Sequence, residues 1–404
     1  MVDTRFCEFR KKCGSCQILN LSYEEELSLK MKREISLLGK FCHVEEIIPS
    51  NPNTHYRNKV QYLFNYKSGH VITGLYRSSD KGITSISTCL MEDKKISKVF
   101  EFVKKSIIKF KIKVYDGHKG DLRHVMIRRG NTTGEISVSF ITFRGRFQND
   151  EELADYLIHH SPEITTVTCI QNNTAIPIWM DGQETTLRGK GYLTDKLCGC
   201  TFNVPPKAFY QINPYTTEIL YNKAAELSDP KPSDLILDAY CGVGTIGISV
   251  AKNSCQRLEG FDCNSESIKY AKINASLNGI KEYEFLCTTD SKYFKGNSKA
   301  YDIVFIDPPR AGCTSAFLSN IMRLNAKIII YISCFPETLS RDISKLKSLY
   351  DIKTIQPIDM FPGTTHVETV CCLYHQKKDF ISVPYEPKND DYLKQHKTNF
   401  SDET

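Results

Sequence analysis

From about residue 205 the chain alternates short apolar runs with helix-like stretches, and this rhythm restricts its fold more than any other feature. The runs fall at 235–239, 257–261, 303–306 and 328–332. Such a pattern predicts a doubly wound α/β unit around a mostly parallel sheet. In that architecture ligands bind in the crevice at the carboxyl ends of the strands, so the residues that end each run are the first candidates for chemistry.

The first run passes through Asp238, Ala239, Tyr240, Cys241, Gly242, Val243 and Gly244 into Thr245, Ile246 and Gly247, which reads as strand, Gly-rich turn and helix start. Glycines let the backbone approach a ligand and take unusual dihedrals. The helix start offers unpaired N–H groups. About twenty residues later Asp262 closes the next run with a carboxylate suited to ribose hydroxyls. The spacing D-x-x-C-G-x-G-T differs from the G-x-G-x-x-G of dinucleotide sites. An acid ahead of the glycines favours a ligand with a sulfonium and an amino acid over one with a pyrophosphate. A purely structural turn is the alternative. The third run ends in Asp307, Pro308, Pro309 and Arg310, an acid followed by a loop that two prolines stiffen. Amine-directed methyltransferases carry an aromatic residue where Arg310 stands.

The fourth run ends in Ser333, Cys334, Phe335 and Pro336. The chain has 16 cysteines, and most read as small buried hydrophobes. Cys334 is set apart by its place at the end of a strand, facing the crevice. C5 of uracil is a poor nucleophile towards a methyl sulfonium, but thiolate addition at C6 makes C5 carbanion-like. A general base must then remove the C5 proton so that the thiol can leave. The segment from Phe361 to Val370 offers His366 and Glu368 for that role.

These motifs resemble the RNA uridine-5-methyltransferase family, which includes tRNA and 23S rRNA enzymes. The resemblance rests on Asp307-Pro-Pro-Arg310, on Ser333-Cys-x-Pro-x-Thr-Leu-x-Arg-Asp342, on Phe361-Pro-x-Thr-x-His-Val-Glu368, and on Phe209-Tyr-Gln-Ile-Asn213 ahead of the cofactor strand. It extends to about residue 375. It implies an α/β fold, with a class I (Rossmann-like) methyltransferase domain over 206–378. A mixed α+β, β-rich RNA-recognition domain over 1–205 precedes it and a flexible polar tail over 379–404 follows. It implies Cys334 as nucleophile and Glu368, in preference to His366, as base. Gln211, Tyr240, Asp262 and Asp307 match positions that bind S-adenosyl-L-methionine. Two positions depart from the family pattern: Phe335 stands where Asn is usual, and Asp262 where Glu is common.

Cys7, Cys13 and Cys16 form C-x5-C-x2-C, and Cys89 lies far downstream. Spacing alone leaves an iron–sulfur cluster and a four-thiolate zinc site both open. The resemblance implies a 4Fe–4S cluster, as in rRNA-directed members. Radical use of the cluster would need C-x3-C-x2-C, which is absent here.

Before residue 205 the pattern differs. Ser22 to Glu25 reads as a capping box, followed by Leu27, Met31, Ile35 and Leu38 at helical spacing with Gly39 as a stop. From Tyr56 onward short alternating segments suggest an antiparallel β region with a helix around 96–110. Tyr56-Arg57-Asn58-Lys59 and Leu122 to Arg129 interleave basic and apolar residues, and are expected to meet RNA phosphates and splayed bases. The net charge of +6 permits a polyanionic partner without requiring one. No run of about 18 apolar residues suggests a membrane span. The expectation is a cytoplasmic monomer acting on 23S rRNA. A tRNA T-loop uridine enzyme and a non-catalytic Fe–S RNA-binding protein are the alternatives.

Overall fold

Ser22 starts the first helix, α1 (Tyr23–Leu38), as the capping box predicts. Its hydroxyl accepts from the Glu25 N–H at 3.2 Å, and the Glu25 carboxylate accepts from the Ser22 N–H at 2.8 Å. The buried face, however, is not the apolar stripe. Glu26, Lys30, Glu34 and Leu38 are buried, Leu27 and Met31 are half-buried, and Ile35 is 51% exposed. Distant partners account for this inversion. Lys30 Nζ lies 2.6 Å from Glu26 Oε1 and 2.7 Å from Asp359 Oδ1, and Glu26 Oε1 also accepts from the Gly363 N–H at 2.8 Å. An ammonium is tolerated in a protein interior when carboxylates replace its water.

The computed structural model describes residues 6–67, 70–80, 82–173, 182–255, 257–295, 297 and 299–376. The polar tail predicted over 379–404 lies outside them. The described residues after α1 run through β1 (Lys59–Lys67), β2 (His70–Tyr76), β3 (Ile83–Thr84), α2 (Lys94–Lys109), β4 (Leu122–Arg129), β5 (Ile136–Thr142), α3 (Asp150–His160), β6 (Ile164–Gln171) and β7 (Glu184–Gly189). These strands form one sheet in the order β3-β2-β1-β4-β5-β6-β7. Neighbours are antiparallel except β5 and β6, which run parallel with α3 as their crossover. Strand alternation puts Val60, Tyr62, Val125, Ile127, Val138 and Phe140 on the face that α2 and α3 cover.

A hairpin of β8 (Leu193–Leu197) and β9 (Cys200–Val204) leads into α4 (Pro214–Ser228). The second sheet then begins. Its elements are β10 (Ile236–Ala239), α5 (Thr245–Ala251), β11 (Arg257–Asp262), α6 (Ser265–Leu277), β12 (Glu282–Cys287), α7 (Asp290–Tyr293), β13 (Ile303–Ile306), α8 (Ser315–Leu324), β14 (Ile328–Ser333), α9 (Pro336–Leu346), β15 (Tyr350–Ile358) and β16 (Glu368–His375). The order is β12-β11-β10-β13-β14-β16-β15. The strands β10 to β14 run parallel to one another, and β16 runs antiparallel to both β14 and β15. The four strands read from the sequence are therefore present and parallel. Order reverses between β10 and β13, which opens the ligand crevice there. Apolar residues on both faces form two cores.

Helix α1, grouped by the sequence reading with the first 205 residues, packs on α9 and β15 of this second sheet. Val44 and Ile48 continue the attachment by bridging to Ile355 and Ile358. Among the described residues no helix is long and apolar enough to cross a membrane.

Candidate active site

Register brings Cys334 and Glu368 together. In the antiparallel pair of β14 and β16, Ser333 stands opposite Thr369. Cys334 follows Ser333 just beyond β14 and Glu368 opens β16 just before Thr369, so both stand at the carboxyl end of β14, close enough for the Glu368 charge to bear on the thiol. Glu368 is 4% exposed, while Cys334 is partly exposed. Burial, then the charges of Glu368 and Asp307, push the Cys334 thiol up to about 11, and Arg310 acts against them. Burial and Asp307 likewise hold the Glu368 carboxyl well above the usual carboxylate range, again with Arg310 opposing. Asp307, just beyond β13, is raised to about 7 by burial. The alternative base, His366, sits outside the strand with its Nε2 3.4 Å from Arg310 Nη2, and burial and that cation lower its pKa.

Phe335 follows Cys334 as the N-cap residue of α9 and makes no side-chain cap bond. Its ring lies 5.6 Å from the Arg33 guanidinium. Arg33 reaches across from α1. It binds Glu337 through Nε at 3.0 Å and Nη2 at 2.6 Å, and donates to the Thr365 carbonyl at 3.0 Å. One arginine thus ties the first turn of α9, just after Cys334, to the loop before Glu368. Sequence reading missed it, because nothing local in α1 signals partners some 300 residues away.

The Gly-rich turn after β10 is built around two acids. Asp238 is fully buried, accepts from the Gly247 N–H at 2.9 Å and is raised to about 7, by burial first. Gly244 adopts φ +82°, and a Cβ on Gly247 would meet Leu258 Cδ1 at 2.7 Å and Asp238 Oδ2 at 2.8 Å. Glycine at 247 is what lets α5 start directly against β10. Asp262 accepts from the Gly242 N–H at 3.1 Å and the Asn264 N–H at 2.8 Å, so it closes the turn from β11. Gln211 is 5% exposed, and Asn58 fixes its segment by bonding the Gln211 carbonyl at 3.3 Å and the Ile212 carbonyl at 2.9 Å. Tyr240 also lies in the turn, but its ring packs on Phe261 and Phe317. Tyr221 of α4 was not anticipated. Its hydroxyl is 3.0 Å from Thr245 Oγ1 and it feels the charges of Asp307 and Asp238.

Comparison with known proteins fits this arrangement. The family model described as tRNA (Uracil-5-)-methyltransferase matches residues 22–377. This chain belongs to that family. An uncharacterized RNA methyltransferase of Oceanobacillus iheyensis is 34% identical over 371 residues, spanning 89% of this chain and 80% of the relative. One from Staphylococcus aureus is 32% identical, spanning 90% of this chain and 83% of the relative. Among solved structures, the Pyrococcus abyssi tRNA (uracil-54, C5)-methyltransferase in complex with S-adenosyl-L-homocysteine aligns with a TM-score of 0.75 and 29% identity, over 89% of this chain and 86% of that one.

In this family member Cys7, Cys13, Cys16 and Cys89 line one cavity of about 20 Å³, floored by Leu19 and Met91. Among the described residues, no three His, Cys, Asp or Glu side chains converge closely enough to hold a metal ion. Burial raises the Cys16 thiol to about 11 and the Cys89 thiol to about 12, with Arg57 opposing in both. The basic residues expected at RNA are largely committed elsewhere. Arg57 donates to the Ser15 carbonyl at 3.3 Å, beside the cysteines. Arg128 is 2% exposed and bonds the Pro205 and Ala208 carbonyls at 3.2 and 2.8 Å. Arg129 pairs with Asp93 at 3.0 Å, and Arg123 holds the Asn172 carbonyl at 2.8 Å. These side chains fasten loops whose carbonyls have no strand partner. Lys59, opposite Arg128 in the β1–β4 register, is pushed down to about 7 by burial and by that cation.

Proposed function

We propose that this chain methylates C5 of a uridine in RNA through a covalent adduct on Cys334, with Glu368 as the base. The observation that supports the reading is that Cys334, just after β14, and Glu368, at the start of β16, lie with Asp307 at the carboxyl ends of the strands, where both carboxyls bear on the thiol. S-adenosyl-L-methionine, when bound, supplies an electrophilic methyl group on a sulfonium. Asp262 is suited to the ribose hydroxyls, and Gln211, Tyr240 and Asp307 line the rest of the cofactor crevice.

Cys334 Sγ, once deprotonated, bonds to C6, and the C5–C6 π pair moves towards C4 and its oxygen. C5 would then bond to the methyl carbon that the sulfonium supplies, whose sulfur would keep the C–S electron pair and leave as the neutral thioether. Glu368 takes the C5 proton, the C5–C6 double bond re-forms, and the C6–S bond breaks to return the thiolate. Glu368 accepts in its ionised form, and its burial raises its affinity for the proton it takes. To reach C5 the uridine has to leave its stack, so loop or single-stranded RNA is the substrate class.

The target in this reading is 23S rRNA. The tRNA U54 enzyme from Pyrococcus abyssi supports a second reading, a tRNA T-loop uridine. Mapping 5-methyluridine in both RNAs from cells with and without the gene separates them. A 4Fe–4S cluster on Cys7, Cys13, Cys16 and Cys89 belongs to the proposal. The shared cavity and the neighbouring Arg57 cation support it. The cysteine loop has to open to admit it, and no step above passes through it.

The decisive test is trapping. Glu368→Gln, which leaves attack and methyl transfer intact but removes the base, is expected to accumulate a denaturant-stable protein–RNA adduct. Cys334→Ala is expected to form none. A free, turning-over Glu368→Gln enzyme would refute the assignment of the base.

A further inference from the structure

Cys263 and Cys287 lie side by side at the carboxyl ends of β11 and β12, and both are exposed. In the parallel register Asp262 pairs with Cys287, and Cys263 is the next residue, where the chain leaves β11. A strand spacing of about 4.8 Å with a rise of about 3.3 Å per residue puts their Cα atoms roughly 6 Å apart, a span that a disulfide bridges. The Cys287 thiol already donates to the carbonyl oxygen of Cys263 at 3.5 Å. Neither sulfur takes part in the chemistry above. What the pair adjoins is the turn 262–264. There Asp262 accepts from the Gly242 and Asn264 N–H groups, and Asn264 caps α6 by accepting from the Ser267 N–H at 2.9 Å.

We infer that Cys263 and Cys287 form an oxidation-sensitive pair that closes to a disulfide on exposure to a peroxide and so weakens cofactor binding by displacing Asp262. One thiolate attacks the O–O bond of hydrogen peroxide, giving a sulfenic acid and one water. The second thiol attacks the sulfenic sulfur, forming the S–S bond and expelling the oxygen as a second water. Two thiols lose two electrons and two protons, and the peroxide is reduced to two waters. Closure brings the sulfurs to about 2 Å. The Cys287 sulfur therefore leaves the Cys263 carbonyl, and the Cys263 side chain swings to β12, taking with it the turn that aims the Asp262 carboxylate. In a reducing cell such a bond is transient and thiol-reversible. The inference rests on the reading of Asp262 as the holder of the ribose hydroxyls.

The whole chain, reduced, is treated with hydrogen peroxide, alkylated, digested without reductant and mapped by mass spectrometry. S-adenosyl-L-homocysteine binding is measured by calorimetry before oxidation, after it, and after dithiothreitol. The expected result is a linked Cys263–Cys287 peptide, an affinity lowered about tenfold, as for the loss of one hydrogen bond to a charged group, and full recovery on reduction. Cys287→Ser and Cys287→Ala are expected to bind as the reduced wild type does and to keep their affinity through peroxide treatment. No linked peptide, a linked peptide with unchanged affinity, or an equal loss in both Cys287 variants overturns the switch. No binding by the reduced protein, seen before any oxidant is added, instead brings down the cofactor crevice and the inference with it.

Discussion

Thr369 Oγ1 donates to Glu34 Oε2 at 2.9 Å, joining α1 to the strand that carries Glu368. Glu34 is fully buried, and its other oxygen has no partner among the described residues. Burial raises this carboxyl to about 7. A carboxyl with a folded pKa above its unfolded value stabilises the fold while protonated, and that contribution is lost as pH rises through the folded value. Glu34→Gln keeps the acceptor for Thr369 and removes the titration. Its melting temperature should match that of wild type near pH 5 and exceed it by several degrees at pH 8, as read by thermal denaturation across that range.

Cys334 is expected to be a sluggish nucleophile in the free protein. With its thiol near 11, carbamidomethylation at Cys334 should rise about tenfold per pH unit between 7 and 10, following the thiolate fraction. Arg310 is the cation that favours the thiolate, so Arg310→Ala should slow the reaction several-fold at each pH. Mass spectrometry of the Cys334 peptide isolates this thiol from the exposed ones. A flat pH profile would contradict the electrostatic account.

Gly247→Ala should disable the cofactor turn. The added methyl group would lie 2.7 Å from Leu258 and 2.8 Å from the buried Asp238 carboxylate, forcing α5 off β10. A cost of about 1–3 kcal/mol is expected in thermal or urea unfolding. Calorimetry should register weaker S-adenosyl-L-homocysteine binding.

The cysteine cavity makes a chemical prediction independent of activity. Anaerobically purified protein should be brown and contain about four irons per chain. Cys16→Ala should be colourless with iron near zero, and air should bleach the wild type. A colourless protein holding one zinc would replace the cluster with a four-thiolate site.

The boundaries of β10, β13 and β14 follow the apolar runs closely, and Asp262, Asp307 and Cys334 stand at or just beyond strand ends as their positions in the sequence suggest. Hydrophobic period, glycine placement and chain order are local properties, and they sufficed for the parallel sheet and its crevice. The same signals failed on α1. Its period was right, but the buried run is Glu26, Lys30 and Glu34, because Asp359 and Thr369 wait on the other side. Arg57, Arg123, Arg128 and Arg129 read as a basic RNA-facing series, yet loop carbonyls and Asp93 claim them.

The sequence by itself determined the type of sheet, the Gly-rich turn after β10 and the strand end that carries Cys334. Tertiary structure alone decided that Glu368 lies close enough for its charge to bear on that sulfur, that a charged helix face is buried and that four separated cysteines share one cavity. A pattern along the chain encodes what each segment can become. Which charge meets which partner depends on register and packing between segments hundreds of residues apart.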